Sequence, residues 1–170
     1  MLKPQDVLVL LKAAVNPDRA LGYGVLAAEL HMSASEAHAS VRRAKISGLA
    51  QALGDRWTPV RSALVEFCVH GVRYAFPAEL GAPARGIPTS FGAPPLSEFI
   101  TSTPGDAPVW KHPQGEARGP ALSPLYSSAP AAALGDPKLY QALSLLDAIR
   151  AGRARERELG AELLTKLLYP

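Results

Sequence analysis

The chain is poor in cysteine and aromatic residues, and it lacks a long uninterrupted apolar run. Cys68 is its single cysteine among 170 residues, which excludes an internal disulfide and makes a reducing cytoplasm the expected compartment. No apolar run approaches the roughly 20 residues that a membrane-spanning helix needs. No Lys- or Arg-headed apolar run begins the chain, so no signal peptide is predicted. We therefore expect a soluble, cytoplasmic protein with no membrane contact.

Sequence motifs of the common catalytic sites are also missing. The chain has no Gly-x-Ser-x-Gly, no Gly-x-x-x-x-Gly-Lys and no His-Glu-x-x-His. Its four histidines are scattered, and together with Cys68 they give no usual zinc spacing. Cys68 falls on the apolar face of a predicted helix, which favours a core residue over a redox sensor. We expect no enzymatic activity, no catalytic residue, no metal site and no cofactor.

Proline and glycine divide the chain into three segments. Residues 77–137 hold twelve of the sixteen prolines and seven of the fourteen glycines, whereas 1–76 and 138–170 are helically periodic. The net charge of +3 is concentrated in residues 1–76, which carry nine Lys/Arg against six Asp/Glu. A basic surplus of this kind is compatible with phosphate contact but is weak support by itself. We predict domain boundaries at 76/77 and 137/138.

Three helices and a hairpin are predicted in the first segment. A first helix starts near Pro4, and a second covers about 24–31. Ser33 followed by Glu36 reads as a capping box that starts a third helix, which runs to about residue 47 before Gly48. Strands at 49–53 and 57–60 around a tight polar turn predict the hairpin.

Further along, a helix is predicted over 61–70, ended by Gly71, and a strand over 72–76. In residues 77–137 two interpretations stay open, a disordered linker or an ordered, extended segment wrapped over the helices. We favour the wrap because large apolar residues recur there, and disordered linkers usually lack them. One short helix is expected near 96–101.

The last segment reads as leucine-rich helices. Asp136 is a candidate cap, with Pro137 at the first helical position. Leu residues then recur at helical spacing on both sides of Gly152. Such a stripe either packs against a second copy of the chain or covers the N-terminal segment. We favour a homodimer, because two-fold symmetry matches that of most operators.

The predicted third helix carries the candidate DNA contacts. Ala37, Val41 and Ala44 fall at core spacing, which turns the opposite face outward. Arginine there could pair with guanine or clamp a phosphate, while short hydroxyls and histidine could touch phosphates or base edges. An arginine in the hairpin turn could enter the minor groove. The candidate DNA-binding residues are Ser35, His38, Ser40, Arg42, Arg43, Lys45 and Arg56.

The run Ser-x-Ser-Glu-Ala-His-x-Ser-Val-Arg-Arg-Ala, ending in Ser-Gly-Leu, resembles winged helix-turn-helix transcription factors of the broadly MarR-like type. The resemblance covers residues 1–76. It departs from the usual pattern at Ala39 and Ala44, where the family has a basic or polar residue and a larger one. It implies groove contact from Ser35, His38, Arg42 and Arg43, with Arg56 on the wing.

The sequence therefore predicts a mainly α fold with a small β wing: a winged helix-turn-helix domain, a Pro/Gly-rich extended segment and C-terminal helices. The expected function is a sequence-specific, homodimeric regulator of double-stranded DNA, most simply a repressor. The alternative is a protein-interaction module, such as an antitoxin or adaptor for a neighbouring enzyme, that grips its partner through residues 77–170.

Overall fold

A computed structural model describes the whole chain, in which helices predominate and two small sheets supply the strands. Three helices come first: α1 (Pro4–Ala14), α2 (Tyr23–Leu30) and α3 (Ala34–Ile46). An antiparallel hairpin of β1 (Ala50–Leu53) and β2 (Arg56–Pro59) follows. The predicted order of three helices and a hairpin is therefore present, with strand ends shifted by one residue.

The helix after the hairpin is longer than predicted. It consists of α4 (Arg61–Glu66), a π-helical turn (Phe67–Gly71) and α5 (Val72–Ala75). The predicted strand over 72–76 is wrong: Val72 is fully buried, and α5 packs against a C-terminal helix. This packing outweighs the strand preference of β-branched and aromatic side chains, which depends strongly on context.

The proline-rich segment folds into a three-stranded closed sheet. A long strand, β3 (Leu80–Pro88), pairs antiparallel with both β4 (Val109–Lys111) and β5 (Ala117–Leu122). β4 and β5 close the sheet through one parallel pair, Val109 with Ala121. The segment is thus ordered, as favoured above, but the sequence predicted no strands in it. A 3₁₀ turn at Leu96–Glu98 occupies the place of the predicted short helix.

Two glycines explain how this small sheet closes. A Cβ atom at Gly86 would lie 1.9 Å from the Trp110 carbonyl oxygen, and one at Gly119 would lie 2.0 Å from the Ala107 carbonyl oxygen. Only a residue without a side chain allows backbones to approach so closely. The glycines of this segment therefore mark close packing rather than a flexible linker.

Three helices complete the chain: α6 (Ala129–Leu134), α7 (Pro137–Ala151) and α8 (Ala154–Leu168). The predicted cap of α7 is confirmed, because the Asp136 carboxylate accepts from the N–H groups of Lys138 and Leu139, each at 3.1 Å.

The leucine stripes of α7 and α8 pack within the chain. The stripe of α7 is buried, as are Leu164 and Leu168 of α8, while the other leucines of α8 are half-buried against the same core. α8 lies along α7 and touches α4. The stripes therefore cover the protein's own helices, which was the alternative to pairing with a second copy. One core of 35 buried residues draws on all three segments.

A buried carboxylate joins α7 to the closed sheet. Asp147 accepts hydrogen bonds from the Thr89 hydroxyl (2.8 Å) and the Trp110 indole N–H (2.7 Å). Its second oxygen accepts from Arg150 at 2.8 Å, and Arg150 also donates to the Phe76 carbonyl. Burial raises the pKa of Asp147, while Arg150 and the other donors oppose that rise. These bonds fix the proline-rich segment on the helices.

His31 ends α2 in the left-handed conformation, with φ of +53°. Its side chain is exposed. A side chain in this conformation costs roughly 1 kcal/mol that glycine avoids. We expect His31→Gly to raise the free energy of unfolding by about 0.5–1 kcal/mol, measured by urea denaturation. A loss of stability would show that the imidazole makes a stabilising contact.

Candidate nucleic-acid interface

α3 presents one polar face to solvent. Ala37, Val41 and Ala44 are buried against the neighbouring elements, as their spacing predicted. α1, α2 and β1 pack on that inner side. The outer side carries four exposed candidates at helical spacing: Ser35, His38, Arg42 and Lys45. Arg42 and Lys45 make no ion pair or side-chain hydrogen bond, so both charges face solvent.

The start of α3 is capped differently from the predicted box. The Ser33 hydroxyl accepts from the Glu36 N–H at 3.0 Å, as expected for a cap. The Glu36 side chain does not return to Ser33. It accepts instead from Gln5 Nε2 and Arg43 Nη2, both at 2.8 Å. Only half of the predicted capping box is therefore formed, and the other half fastens α3 to α1.

Arg43 is held inside the protein and does not face the solvent as predicted. Its Nε and Nη2 atoms donate to the two oxygens of Asp6, at 2.9 and 2.7 Å. Asp6 is wholly buried, and only 18% of the Arg43 side chain is exposed. The hydrogen bond to Asp6 raises the pKa of Arg43, and Glu36 adds to this effect. The guanidinium neutralises a core carboxylate, which removes it from the exposed candidates.

Ser40 also lies on the inner side of α3. It is completely buried, and its hydroxyl lies 3.3 Å from Arg43 Nη2. A helix turns 100° per residue, so position 40 faces α1 when 38 and 42 face solvent. Contrary to the prediction, Ser40 and Arg43 therefore do not belong to the exposed face of α3.

Two exposed residues beside this face were missed from the sequence. Ile46 is 73% exposed and follows His38 and Arg42 at four-residue spacing, a pattern that could have placed it on the same row. Tyr23, the first residue of α2, packs edge-on against the His38 ring with 4.9 Å between centroids. Sequence distance concealed this contact. With Val41, Arg42 and Lys45, these residues line a shallow cavity of about 340 Å³.

The hairpin adds one more exposed cation beside the helices. Arg56 is exposed at the turn, next to the exposed Asp55, and makes no ion pair. Gly54 precedes them with φ of +62°, a conformation that glycine adopts without strain. Trp57 is half-buried and packs against the core, which anchors the hairpin to the helices.

A second charged cluster ties α1 and α2 to the start of α7. The buried Lys12 ammonium lies 2.6 Å from both Asp136 Oδ2 and Glu29 Oε2. Hydrogen bonds from Arg19 and then Lys12 lower the pKa of Glu29 to about 2. Burial acts to raise the pKa of Asp136, but Lys12, Asn16 and the Leu139 N–H together lower it. The cluster therefore holds both carboxylates ionised.

The metal-binding and nucleophilic side chains form no further site of this kind. No group of three or more His, Cys, Asp or Glu side chains is arranged to hold a metal ion. Cys68 is fully buried, and burial raises the pKa of its thiol to about 12, so the thiol stays protonated. This fits the core role predicted for it.

Comparison with known protein-family models, characterised proteins and solved structures finds no match to this chain. None of its helices combines the length and apolar character needed to cross a bilayer.

Proposed function

We propose that residues 1–76 form a winged helix-turn-helix domain and that the protein is a sequence-specific, cytoplasmic DNA-binding regulator. The observation that supports this best is the free outer face of α3. The helix α3 has a capped N-terminus, is 13 residues long, and packs against two helices and the hairpin. A helix supported in this way can enter the major groove while its neighbours contact the backbone.

The proposed contact surface is narrower than the sequence implied. It comprises Ser35, His38, Arg42 and Lys45 on α3, with Arg56 on the hairpin as the wing contact. Arg42 is suited to guanine or a phosphate, and Lys45 to a phosphate. All five are exposed. Phosphate contacts would supply most of the affinity, which would then fall steeply with salt.

We further propose that the protein acts as a homodimeric repressor on a two-fold symmetric operator. The leucine stripes of α7 and α8 do not provide the dimer contact, since they pack within the chain. A different surface must then join the two copies, and sedimentation at micromolar concentration would show whether they associate.

Arg42→Ala is expected to weaken binding to DNA from upstream of the protein's own gene by roughly 10- to 100-fold, because one charge-assisted contact is lost. A salt-titrated gel shift measures this effect. The slope of log affinity against log salt should become shallower by about one if Arg42 contacts a phosphate.

Arg155→Ala is the matched control, since Arg155 is exposed on α8, far along the chain from the proposed surface. It should bind DNA like the parent. Equal DNA binding by Arg42→Ala and the parent would remove α3 from the interface. A parent protein that shows no salt-sensitive shift would leave the protein-interaction module as the better function.

A further inference from the structure

A cavity of about 540 Å³ lies between the closed sheet and the start of α8, away from the proposed DNA surface. Phe91, Ile100 and Leu122 give it apolar walls. The exposed stretch 101–103, Thr-Ser-Thr, supplies hydroxyl groups along one side. Its size lies within the range of small-molecule pockets, and its lining is mixed, with five hydrophobic residues among sixteen.

Ser90 is the unusual residue of this cavity. It is 98% buried, since only 2% of it is exposed, and its backbone is left-handed with φ of +55°. Its hydroxyl makes no hydrogen bond. Among the side-chain nitrogen and oxygen atoms, Ser144 Oγ is the only one that is fully enclosed and lacks a hydrogen-bond partner. The Ser90 hydroxyl is therefore not fully enclosed, and its small exposed area faces the cavity that Ser90 lines. Strained residues of this kind cluster at ligand sites.

Two opposite charges without partners line the same cavity. Arg153 precedes α8 and its guanidinium makes no ion pair, while the first N–H groups of that helix have no partner within it. Glu156 is already engaged, because its carboxylate accepts the Arg153 backbone N–H. Asp106, on the opposing loop, pairs with no cation. The cavity thus carries one cation, Arg153, and two carboxylates, of which Asp106 accepts no hydrogen bond from the chain.

We propose that this cavity binds a free α-amino acid with an apolar side chain. The ligand carboxylate lies against Arg153, the start of α8 and the Ser90 hydroxyl. Its ammonium faces Asp106, and its side chain packs on Phe91 and Ile100. A zwitterion satisfies both unpaired charges, whereas a simple anion or cation leaves one of them without a partner. This site is independent of DNA binding.

Calorimetric titration of the full chain with L-phenylalanine tests the proposal without DNA. We expect saturable binding, with N-acetyl-L-phenylalanine, which lacks the ammonium, and phenethylamine, which lacks the carboxylate, each bound at least tenfold more weakly. No binding heat with L-phenylalanine up to about 10 mM would overturn the proposal. Equal binding of either analogue would overturn the zwitterion assignment.

Three variants locate the site: Ser90→Ala, Arg153→Gln and Asp106→Asn. Each should lower the affinity for L-phenylalanine at least tenfold. The thermal unfolding midpoint without ligand shows that each variant is folded. Arg155→Gln, two residues along α8 and outside the cavity, should bind like the parent. If Arg153→Gln and Asp106→Asn both bind like the parent, the ligand lies elsewhere and the assignment is wrong.

Discussion

Arg43→Ala is expected to lower the free energy of unfolding by about 3 kcal/mol, measured by urea denaturation. The reason lies in Asp6, which is wholly buried and receives two short hydrogen bonds from this guanidinium. Without Arg43 the carboxylate keeps only a backbone donor, the Lys3 N–H at 2.8 Å. Leaving a buried charge unpaired costs far more than the pair itself contributes.

The neighbouring Arg42→Ala is the matched control for this measurement. Arg42 is exposed and bonds to nothing in the chain, so its removal should change stability by less than about 0.5 kcal/mol. The two variants should then separate two roles: Arg42→Ala is expected to weaken the proposed DNA binding at unchanged stability, and Arg43→Ala to lower stability first. Equal stability of Arg43→Ala and the parent would mean that Asp6 is satisfied by another route.

Local signals predicted the N-terminal elements because they act within a few residues. The Ser33 cap, the Asp136 cap and the Gly48 turn were each readable from the chain, and the structure contains all three. Helical spacing also placed Ala37 and Val41 inside. These features depend on the backbone's own hydrogen-bonding needs, which sequence neighbours meet.

Long-range partners are what the sequence could not show. Arg43 and Arg42 are adjacent arginines on one helix, but Asp6, 37 positions before Arg43, and Glu36 bind Arg43 alone. The helical spacing placed both arginines on the face of α3 that points to solvent. The direction of a side chain at the edge of such a face is decided by which partner α1 offers.

The closed sheet was missed for a related reason. Proline has no backbone N–H to donate to a sheet, so the many prolines of 77–137 argued against strands. Pro83 and Pro120 nevertheless lie opposite each other in adjacent strands. Glycines fit where backbones nearly touch, and Asp147 on α7 accepts from Thr89 and Trp110. The two hydrogen bonds to Asp147 span 58 and 37 positions, beyond any periodic pattern.

Lys12→Met is expected to lower the free energy of unfolding by about 3 kcal/mol, measured by urea denaturation at pH 7. Methionine can fill the space of the buried stem, but Asp136, 2.6 Å from the ammonium, loses its counterion. Glu29, also at 2.6 Å, loses one of two counterions because it keeps Arg19. Lys166→Met serves as control, because the Lys166–Glu162 pair is exposed and should contribute less than about 1 kcal/mol. Similar losses in the free energy of unfolding in both variants would mean that the buried ion pairs of Lys12 stabilise the fold no more than an exposed pair does.

The gap in the free energy of unfolding between the parent and Lys12→Met should close in acid. A carboxylate whose pKa is lowered by folding stabilises the native state above its unfolded pKa, and this contribution is lost as pH falls through the folded value. Lys12 helps to lower the pKa of both Asp136 and Glu29; Arg19 is the larger cause of the fall of the Glu29 pKa from 4.5 to about 2, and that part remains in the variant. The gap should therefore narrow between about pH 4.5 and pH 2. Asp147, whose pKa is raised, titrates alike in both proteins and cancels in the difference. A gap of constant size from pH 7 to pH 3 would show that Lys12 stabilises the fold by packing rather than by its charge.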